Sequence, residues 1–280
     1  MGILINGKAI AEKIRGQIAK EVKKIKKKGI HPKLGVILVG NDLPSQTYVR
    51  KKEQAAMAAG IDFVLKKFPA TISEKKLVDE IHHLQKKEKP TGLIIQLPLP
   101  ERLYKSNVLN AVDPGIDVDC LTDQNIGKLV MRTNKIFPPT PLAVVTILRE
   151  LKINLAGKDV TIVGMGALVG KPLAIILANE GASVTTVNSR TKNVKAKCLN
   201  ADIIVTGVGK KDLLRGDMVK KGAIVIDTGI AFENGKMYGD VNREEVLKKA
   251  AYLTPTPGGV GPITVALLLA NTVECAKRQK

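Results

Sequence analysis

The segment Val160-Thr-Ile-Val-Gly-Met-Gly-Ala-Leu-Val-Gly-Lys-Pro172 runs from a short apolar stretch through a glycine-rich turn into a helical pattern. Such a turn places Gly164 at a tight bend and Gly166 where a backbone approaches phosphate, while Gly170 opens a helix whose N-terminus attracts anions. The G-x-G-x-x-x-G spacing is one residue longer than the common fingerprint. The segment predicts an α/β domain that binds a nucleotide, with Gly164, Met165, Gly166 and Gly170 as candidate cofactor-binding residues; a purely structural turn is the alternative.

The residues after the next predicted strand bear on the choice of dinucleotide. An NAD site usually has Asp or Glu there to bind the ribose 2′-hydroxyl. The chain instead has Asn188-Ser-Arg-Thr191, which offers the hydroxyl of Ser189 and the guanidinium of Arg190 and no acid. Because these groups suit a 2′-phosphate, the sequence favours NADP as the cofactor, with NAD as the alternative.

Outward from this turn, strand-length apolar runs alternate with helical patterns in two series, which predicts parallel sheets with crossover helices. We therefore expect an α/β fold of two domains, 1–140 and 141–261, with a cleft between them and with the second domain Rossmann-like. The helical pattern 262–280 is expected to pack back on the first domain. The predicted strands are 34–40, 62–68 and 91–96 in the first series, and 159–164, 183–187, 201–208 and 223–230 in the second.

The composition limits the classes of partner. The 280 residues include 45 Lys and Arg against 26 Asp and Glu, a formal net charge of +19. This excess fits either an anionic partner or a lysine-rich solvated surface. Arg-Gly repeats and interleaved aromatic residues are absent, which argues against a specific nucleic-acid partner. We expect a cytoplasmic protein with no membrane partner, because the sequence has no signal-peptide pattern and no apolar run of about 18–20 residues.

The cysteines and histidines predict neither a metal site nor a catalytic triad. Cys120, Cys198 and Cys275 are widely spaced and odd in number, which favours reduced thiols. His82 and His83 fall in a lysine-rich amphipathic helical pattern and are expected to be exposed.

The first series carries candidates for a second ligand site. Ser45 is predicted to cap a helix on which Tyr48 and Lys52, four residues apart, share one face. In a partly dry site such a Lys loses its proton more easily and can act as an acid or base near neutral pH. An ordinary pair on a helix surface is the alternative interpretation.

Two further groups of residues join these candidates. Gln96 ends a predicted buried strand, where open α/β sheets place ligand-binding side chains, and the turn Leu97-Pro-Leu-Pro100 follows it directly. Asp117-Val-Asp119 lies in a loop and offers a carboxylate to an amidine-like ring edge. The turn Thr254-Pro-Thr-Pro-Gly-Gly-Val-Gly-Pro262 is rigid and poor in side chains, and it leads into a helix, which is typical of a wall that faces a flat ligand.

Taken together, these motifs resemble the bifunctional methylenetetrahydrofolate dehydrogenase/methenyltetrahydrofolate cyclohydrolase family from end to end. The family's helix motif of Ser, Tyr and Lys resembles Ser45, Tyr48 and Lys52. Three further family motifs, Gln-Leu-Pro-Leu-Pro, Asp-Val-Asp-Gly and Pro-Gly-Gly-Val-Gly-Pro-x-Thr, resemble Gln96–Pro100, Asp117–Cys120 and Pro257–Thr264.

The resemblance implies an enzyme that oxidises 5,10-methylenetetrahydrofolate with NADP and hydrolyses the methenyl product to 10-formyltetrahydrofolate. It implies a homodimer, folate in the interdomain cleft, and Lys52 as the acid/base in hydration with Gln96 and Tyr48 assisting. The implied catalytic and folate-binding residues are Tyr48, Lys52, Gln96, Leu97, Pro98, Asp119, Pro257, Gly258 and Gly259. Cofactor contacts are implied at the glycine turn, at Ser189 and at Ile230.

The chain departs from many members of the family at four positions. Met165-Gly166 stands where many members have Arg-Ser, Asn188 replaces a His, Cys120 replaces a Gly, and Pro139 replaces a Cys. Three alternatives remain at this point: a shikimate-dehydrogenase-like reductase, a basic nucleic-acid-binding protein without catalysis, and a dehydrogenase that has lost cyclohydrolase activity. Lys52 argues against the last.

Overall fold

The computed structural model describes residues 2–233 and 235–279. Its secondary-structure elements are numbered in chain order. The helices are α1 Gly7–Lys26, α2 Leu43–Ala58, α3 Glu74–Glu88, α4 Ser106–Asn110, α5 Asp123–Val130, α6 Pro139–Glu150, α7 Gly170–Asn179, α8 Val194–Asn200, α9 Arg243–Leu247 and α10 Val260–Arg278. The strands are β1 Ile3–Leu4, β2 Lys33–Val39, β3 Asp62–Phe68, β4 Gly92–Ile95, β5 Asp159–Val163, β6 Ser183–Val187, β7 Ile203–Thr206, β8 Ile224–Asp227, β9 Ala231–Glu233, β10 Lys236–Tyr238 and β11 Tyr252–Leu253.

The chain forms two compact units, each built around one parallel sheet. We call the unit with the smaller sheet the sheet-B unit, and the unit that carries the glycine-rich turn at 164–170 the nucleotide unit. The sheet-B unit consists of Glu12–Pro139 and Val265–Lys280, and the nucleotide unit consists of Met1–Ala11 and Thr140–Thr264. Assigning the first eleven residues to the first domain was wrong. The backbone of β1 pairs in parallel with β11, so this segment completes the sheet of the nucleotide unit.

The sheet-B unit contains a three-stranded parallel sheet in the order β3-β2-β4. Strand β4 is buried throughout, and six of the seven residues of β2 are buried, as expected for strands covered on both faces. On one face a cluster of aliphatic side chains joins α1 and α2 to the C-terminal helix, through residues such as Ile18, Val49 and Leu269. On the other face Leu77 and Ile81 of α3 pack with Ile37 and Ile95.

Helix α10 is the most apolar of the long helices. By length and composition alone, Val260–Arg278 is the one helix among the described residues that could cross a membrane, with a mean hydropathy of 1.2. However, 61% of the 18-residue stretch with this hydropathy is buried within the protein. Leu268, Leu269 and Val273 lie in the aliphatic cluster of the sheet-B unit, which accounts for this apolar face.

The nucleotide unit contains a six-stranded parallel sheet in the order β1-β11-β8-β7-β5-β6. The chain leaves β5 to form β6 on one side and returns to form β7 on the other. In open α/β sheets, ligands bind beyond the carboxyl ends of the strands at such a reversal of strand order. This edge carries the loop 164–169 after β5 and the loop 207–210 after β7.

Two predicted strands of the second series were too long. Strand β7 ends at Thr206 and β8 at Asp227, whereas the apolar patterns continue to residues 208 and 230. The added residues form loops at the carboxyl edge of the sheet, and the apolar side chains of Val208 and Ile230 are exposed there rather than buried. The hairpin of β9 and β10 was not predicted.

Candidate active site

Tyr48 and Lys52 lie on α2 of the sheet-B unit, one turn apart. The helix begins at Leu43 and its N-cap is Asp42, so the prediction of Ser45 as the cap was wrong. The carboxylate of Asp42 accepts hydrogen bonds from the backbone N–H of Ser45 at 2.8 Å and from its hydroxyl at 2.6 Å. Ser45 therefore anchors the first turn from inside the helix, where it is buried.

The ammonium of Lys52 contacts the end of β4. Its Nζ donates a hydrogen bond to Oε1 of Gln96 at 2.9 Å, and Nε2 of Gln96 donates to the backbone carbonyl of Leu97 at 2.6 Å. Gln96 is only 8% exposed, so both ends of its amide are held within the fold. Leu97 is half-buried and Pro98 is exposed.

Asp117 and Asp119 have different surroundings. Asp117 is buried, and its carboxylate accepts hydrogen bonds from the backbone N–H groups of Leu121 and Thr122, the hydroxyl of Thr122 and the amide of Asn125. Asp119 is half-buried, and the largest Coulombic influence on it is Lys52. Asp117 therefore fixes the loop, while Asp119 is the carboxylate beside the lysine.

Burial sets the protonation of this group of residues. It lowers the pKa of Lys52 from its ordinary 10.5, and the charge of Asp119 opposes that shift. It raises the pKa of Asp119, opposed by Lys52. It also raises the pKa of Tyr48, whose buried hydroxyl has no hydrogen-bond partner in the described part of the chain. Because a buried hydroxyl is costly without a partner, Tyr48 is suited to bind a polar ligand atom.

Cys120 completes the loop in a left-handed backbone conformation, with φ of 57°. Its thiol is buried and contacts the backbone carbonyl of Ile136 at 3.7 Å. A glycine would adopt this φ without strain, whereas a cysteine adopts it at some cost. The loop nevertheless keeps Asp119 beside Lys52.

Asn271 of α10 also holds this loop, and sequence reasoning missed it. Its side-chain amide donates to the backbone carbonyls of Val118 and Phe137, each at 2.8 Å. Asn271 is 7% exposed. A single amide within an otherwise apolar helical pattern was the only sequence signal for this role.

The glycine turn of the nucleotide unit has the form that a dinucleotide needs. Gly164 has φ of 106°, and a Cβ there would lie 2.6 Å from the carbonyl oxygen of Gly207. A Cβ on Gly170 would lie 2.0 Å from the carbonyl oxygen of Gly164, whereas one on Gly166 would meet no atom within 4 Å. Gly164 and Gly170 thus permit the tight fold of the turn, and Gly166 leaves open space beside the N-terminus of α7.

The other candidate cofactor residues lie at the same edge of the sheet. Ser189 and Arg190 are exposed in the turn after β6. The side chain of Asn188 accepts a hydrogen bond from the backbone N–H of Arg190 at 2.9 Å, and Thr191 accepts one from that of Asn188 at 2.9 Å. Ile230, in the loop after β8, is 42% exposed. Met165 is half-buried within the glycine turn.

The turn 254–262 belongs to the nucleotide unit and not to the unit that carries Lys52. Thr254 is buried, and its hydroxyl accepts a hydrogen bond from the backbone N–H of Asp227 at 2.7 Å. A Cβ on Gly7 would lie 1.8 Å from the carbonyl oxygen of Gly259, so the N-terminal segment packs directly against the turn. Pro257 is exposed and Gly258 is half-buried.

One concavity of the sheet-B unit lies away from these residues. Its volume is about 690 Å³, and its lining includes His82, Lys86, Lys89 and Asp113 but none of the candidate site residues. His82 and His83 are exposed, as expected. Among the described residues no group of His, Cys, Asp and Glu could hold a metal ion.

Family models for the two halves of a single enzyme match the chain. The catalytic domain of tetrahydrofolate dehydrogenase/cyclohydrolase matches residues 5–119, and its NAD(P)-binding domain matches residues 138–280. The chain belongs to the tetrahydrofolate dehydrogenase/cyclohydrolase family. The glycine turn falls within the NAD(P)-binding domain of this family, and Tyr48, Lys52, Gln96 and Asp119 fall within its catalytic domain.

Relatives of the family match over nearly their whole length. The bifunctional protein FolD of Nautilia profundicola is 47% identical over 98% of this chain and 97% of its own. The structure of the FolD methylenetetrahydrofolate dehydrogenase/cyclohydrolase of Campylobacter jejuni matches with a TM-score of 0.96 and 40% identity, covering 100% of both chains. That of Trypanosoma brucei, complexed with NADP and an inhibitor, matches with a TM-score of 0.95 and 37% identity over 99% of this chain and 98% of its own.

These matches decide among the sequence-based alternatives. The predicted family, the α/β fold with its two parallel sheets, and the pairing of a dehydrogenase with a cyclohydrolase are confirmed. A shikimate-dehydrogenase-like reductase and a nucleic-acid-binding protein without catalysis do not account for the match of both domains.

Proposed function

We propose that the chain oxidises 5,10-methylenetetrahydrofolate with NADP and hydrolyses the resulting methenyl cation to 10-formyltetrahydrofolate, with Lys52 as the proton acceptor in hydration. The observation that carries this assignment is the part-buried hydrogen bond from Lys52 to Gln96, together with the Tyr48 hydroxyl, which has no partner among the described residues, and the charge of Asp119 acting on Lys52. Bound NADP supplies the nicotinamide that accepts the hydride from the methylene carbon.

Hydration needs a base, because water that adds to the methenyl carbon must lose a proton. A neutral amine at Lys52 can accept it, and burial favours that neutral form. The cationic methenyl group adds to this preference, since a second positive charge beside it is unfavourable. The carbonyl of Gln96 accepts one N–H of Lys52 and thereby holds the amine in place. Once water has added, the C–N5 bond of the resulting carbinolamine breaks with its electron pair going to N5, which takes the proton held by Lys52. The hydroxyl proton is released to solvent as the formyl C=O forms on N10.

The neighbouring residues bind and orient the folate. Asp119 offers a carboxylate to the amidine-like edge of the pterin, and Tyr48 offers both its ring and its unpaired hydroxyl. Leu97 and Pro98 follow Gln96 directly, and Pro257, Gly258 and Gly259 supply a wall poor in side chains. We assign these five residues to folate binding on the strength of the family motifs.

The glycine turn and the turn after β6 bind the cofactor. The open space beside Gly166 precedes the N-terminus of α7, where the helix dipole favours the negative charge of a pyrophosphate. Ser189 and Arg190 are exposed, and Asn188 and Thr191 hold the turn that carries them, which suits the 2′-phosphate of NADP. Met165 and Ile230 border this site.

The assembly and cellular role follow from family resemblance. We propose a cytoplasmic homodimer that supplies one-carbon units for pathways such as purine biosynthesis. The net charge of +19 fits a solvated, lysine-rich surface, and the absence of Arg-Gly repeats and interleaved aromatic residues argues against a specific nucleic-acid partner. Loss of an RNA gel shift at moderate salt, with folate turnover intact, is the expected result.

Substitution of the lysine tests the assignment. We expect Lys52→Met to abolish hydration of methenyltetrahydrofolate, which is measured as the decrease in the absorbance of that substrate. The circular dichroism spectrum and the affinity for NADP should stay unchanged. Lys75→Met, at an exposed position on α3, is the matched control and should keep wild-type activity. Wild-type hydration by Lys52→Met would overturn the role of Lys52.

A further inference from the structure

Asp240 is a buried carboxylate that the proposed mechanism does not use. It follows β10 and is 0% exposed. Its Oδ2 accepts a hydrogen bond from the backbone N–H of Val208, and its Oδ1 accepts one from that of Lys210, each at 2.7 Å. One carboxylate therefore holds both ends of the Val208–Lys210 segment in the loop after β7. Hydrogen bonds of this length from backbone N–H to an ionised oxygen are among the stronger ones in proteins.

The held loop lies beside the nucleotide turn. The carbonyl oxygen of Gly207 would be 2.6 Å from a Cβ on Gly164, so the loops after β5 and β7 are in backbone contact. They lie at the reversal of strand order, where a dinucleotide binds in this class of sheet. A shift of the loop after β7 would therefore move the glycine turn or narrow the space beside it.

The same carboxylate fixes the loop after β8. A Cβ on Gly229 would lie between 2.1 and 2.3 Å from the carboxylate atoms of Asp240, so the Gly229 backbone rests directly on them. Gly209 in turn approaches the loop after β8, since a Cβ on Gly209 would lie 3.1 Å from the carbonyl oxygen of Ile230. Two loops with the exposed apolar side chains of Val208 and Ile230 thus share one buried anchor.

Asp227 supports Asp240 from the end of β8. Its carboxylate accepts hydrogen bonds from the hydroxyl of Thr206 and from the backbone N–H groups of Gly229, Asp240 and Val241. Burial raises the pKa of Asp227 to about 6, so near neutral pH it is ionised and can accept all four. A Cβ on Gly239 would lie 1.8 Å from its Oδ2, which leaves Asp240 little freedom to move.

We propose that Asp240, supported by Asp227, is a positioning residue for the cofactor half of the reaction. It fixes the loops after β7 and β8 where the dinucleotide binds, without contacting folate. This inference rests on the proposed function, because it takes the carboxyl edge of the sheet as the NADP site. Its consequence is an asymmetry: the dehydrogenase depends on Asp240, whereas the cyclohydrolase, which uses no cofactor, does not.

The test measures both activities and NADP affinity in the full chain carrying Asp240→Asn. An asparagine has the same shape but presents an NH₂ group to one of two N–H donors, so one hydrogen bond is lost and two donors face each other. We expect the Kd for NADP to rise tenfold or more and the dehydrogenase kcat/KM for NADP to fall by a similar factor. Cyclohydrolase activity should stay within twofold of wild type. General destabilisation of the protein would instead lower both activities together.

Asp202→Asn is the matched control. Asp202 is a half-buried carboxylate of the same unit that accepts a hydrogen bond from the backbone N–H of Asp159, but it precedes β7 at the opposite edge of the sheet. This variant should keep wild-type NADP affinity. Equal loss of both activities in Asp240→Asn, or unchanged NADP affinity, would overturn the inference.

A second variant covers the case in which Asp240→Asn does not fold. Asp227→Asn removes the support of Asp240 and keeps the backbone N–H of Asp227 that binds Thr254, so the same selective loss of dehydrogenase activity is expected. If neither variant folds, hydrogen exchange of the wild type decides. The amides of Val208 and Lys210 should exchange at least tenfold more slowly than that of exposed Lys211, and rapid exchange would contradict the proposal. A wild type without either activity would refute the proposed function instead.

Discussion

The side-chain amide of Asn271 donates a hydrogen bond to the backbone carbonyl of Val118 at 2.8 Å, across 153 residues of sequence. A second bond of the same length reaches Phe137. Since Val118 directly precedes Asp119, the C-terminal helix fixes the loop that carries the carboxylate proposed to bind the pterin. Asn271, which lies outside every recognised motif, therefore supports the proposed folate site directly.

We predict that Asn271→Leu weakens folate binding in both activities. The substitution leaves the buried carbonyl of Val118 and the part-buried carbonyl of Phe137 without this donor, and an unsatisfied buried group costs about 1–3 kcal/mol. The loop should loosen, raising KM for methylenetetrahydrofolate and methenyltetrahydrofolate and lowering the melting temperature. Thr272→Val is the control on the same helix, because its hydroxyl binds the carbonyl of Leu268, one turn earlier on that helix. An Asn271→Leu enzyme with wild-type KM values would refute the role of Asn271.

The cyclohydrolase should gain activity with rising pH. A general base works only when neutral, and burial lowers the pKa of Lys52 below its ordinary 10.5. The rate should therefore rise about tenfold per pH unit below that pKa and level off above it, at a pH below 10.5. The profile is measured after subtraction of the uncatalysed hydrolysis. A rate that falls with pH over this range would show that the protonated form of Lys52 is the active one.

We predict that Gly7→Ala damages the turn 257–259. The new methyl group would lie 1.8 Å from the carbonyl oxygen of Gly259, which is backbone and cannot rotate away. The turn must shift, so the melting temperature should fall and KM for folate should rise. Gly16→Ala is the matched control on the same helix: its Cβ would meet nothing within 4 Å. It should stabilise the protein by about 1 kcal/mol. Equal stability of the two variants would contradict this packing.

Restoring an arginine in the glycine turn should strengthen the preference for NADP. Met165→Arg adds a guanidinium at the position where many family members have one, and a charge-assisted hydrogen bond to the 2′-phosphate contributes about 1.5–3 kcal/mol. The ratio of kcat/KM for NADP to that for NAD should then rise roughly tenfold or more. Met57→Arg, at a 67% exposed position in the sheet-B unit, adds the same charge elsewhere and should leave the ratio unchanged. An unchanged ratio in Met165→Arg would contradict this prediction and would mean that Ser189 and Arg190 alone set the preference for NADP over NAD.

The sequence alone determined the fold class, the two series of parallel strands and the family, because these depend on local patterns. Apolar runs of strand length, glycines between strand and helix, and the motifs at Gln96–Pro100 and Pro257–Thr264 are all contiguous in the chain. The same local patterns identified Tyr48, Lys52, Gln96 and Asp119 as site candidates. They failed where the end of an apolar run is decided by solvent exposure, as at Val208 and Ile230.

Only the tertiary structure decided which residues support those candidates. That Asp42 rather than Ser45 caps α2, that Asn271 holds the Asp119 loop, and that β1 joins the sheet of the nucleotide unit all depend on contacts beyond the reach of a local pattern. The same is true of Asp240, an ordinary acidic residue in the sequence that is fully buried between two loops in the fold. Hydrogen bonds and burial between distant segments arise only when the chain is folded, so no spacing in the sequence encodes them directly.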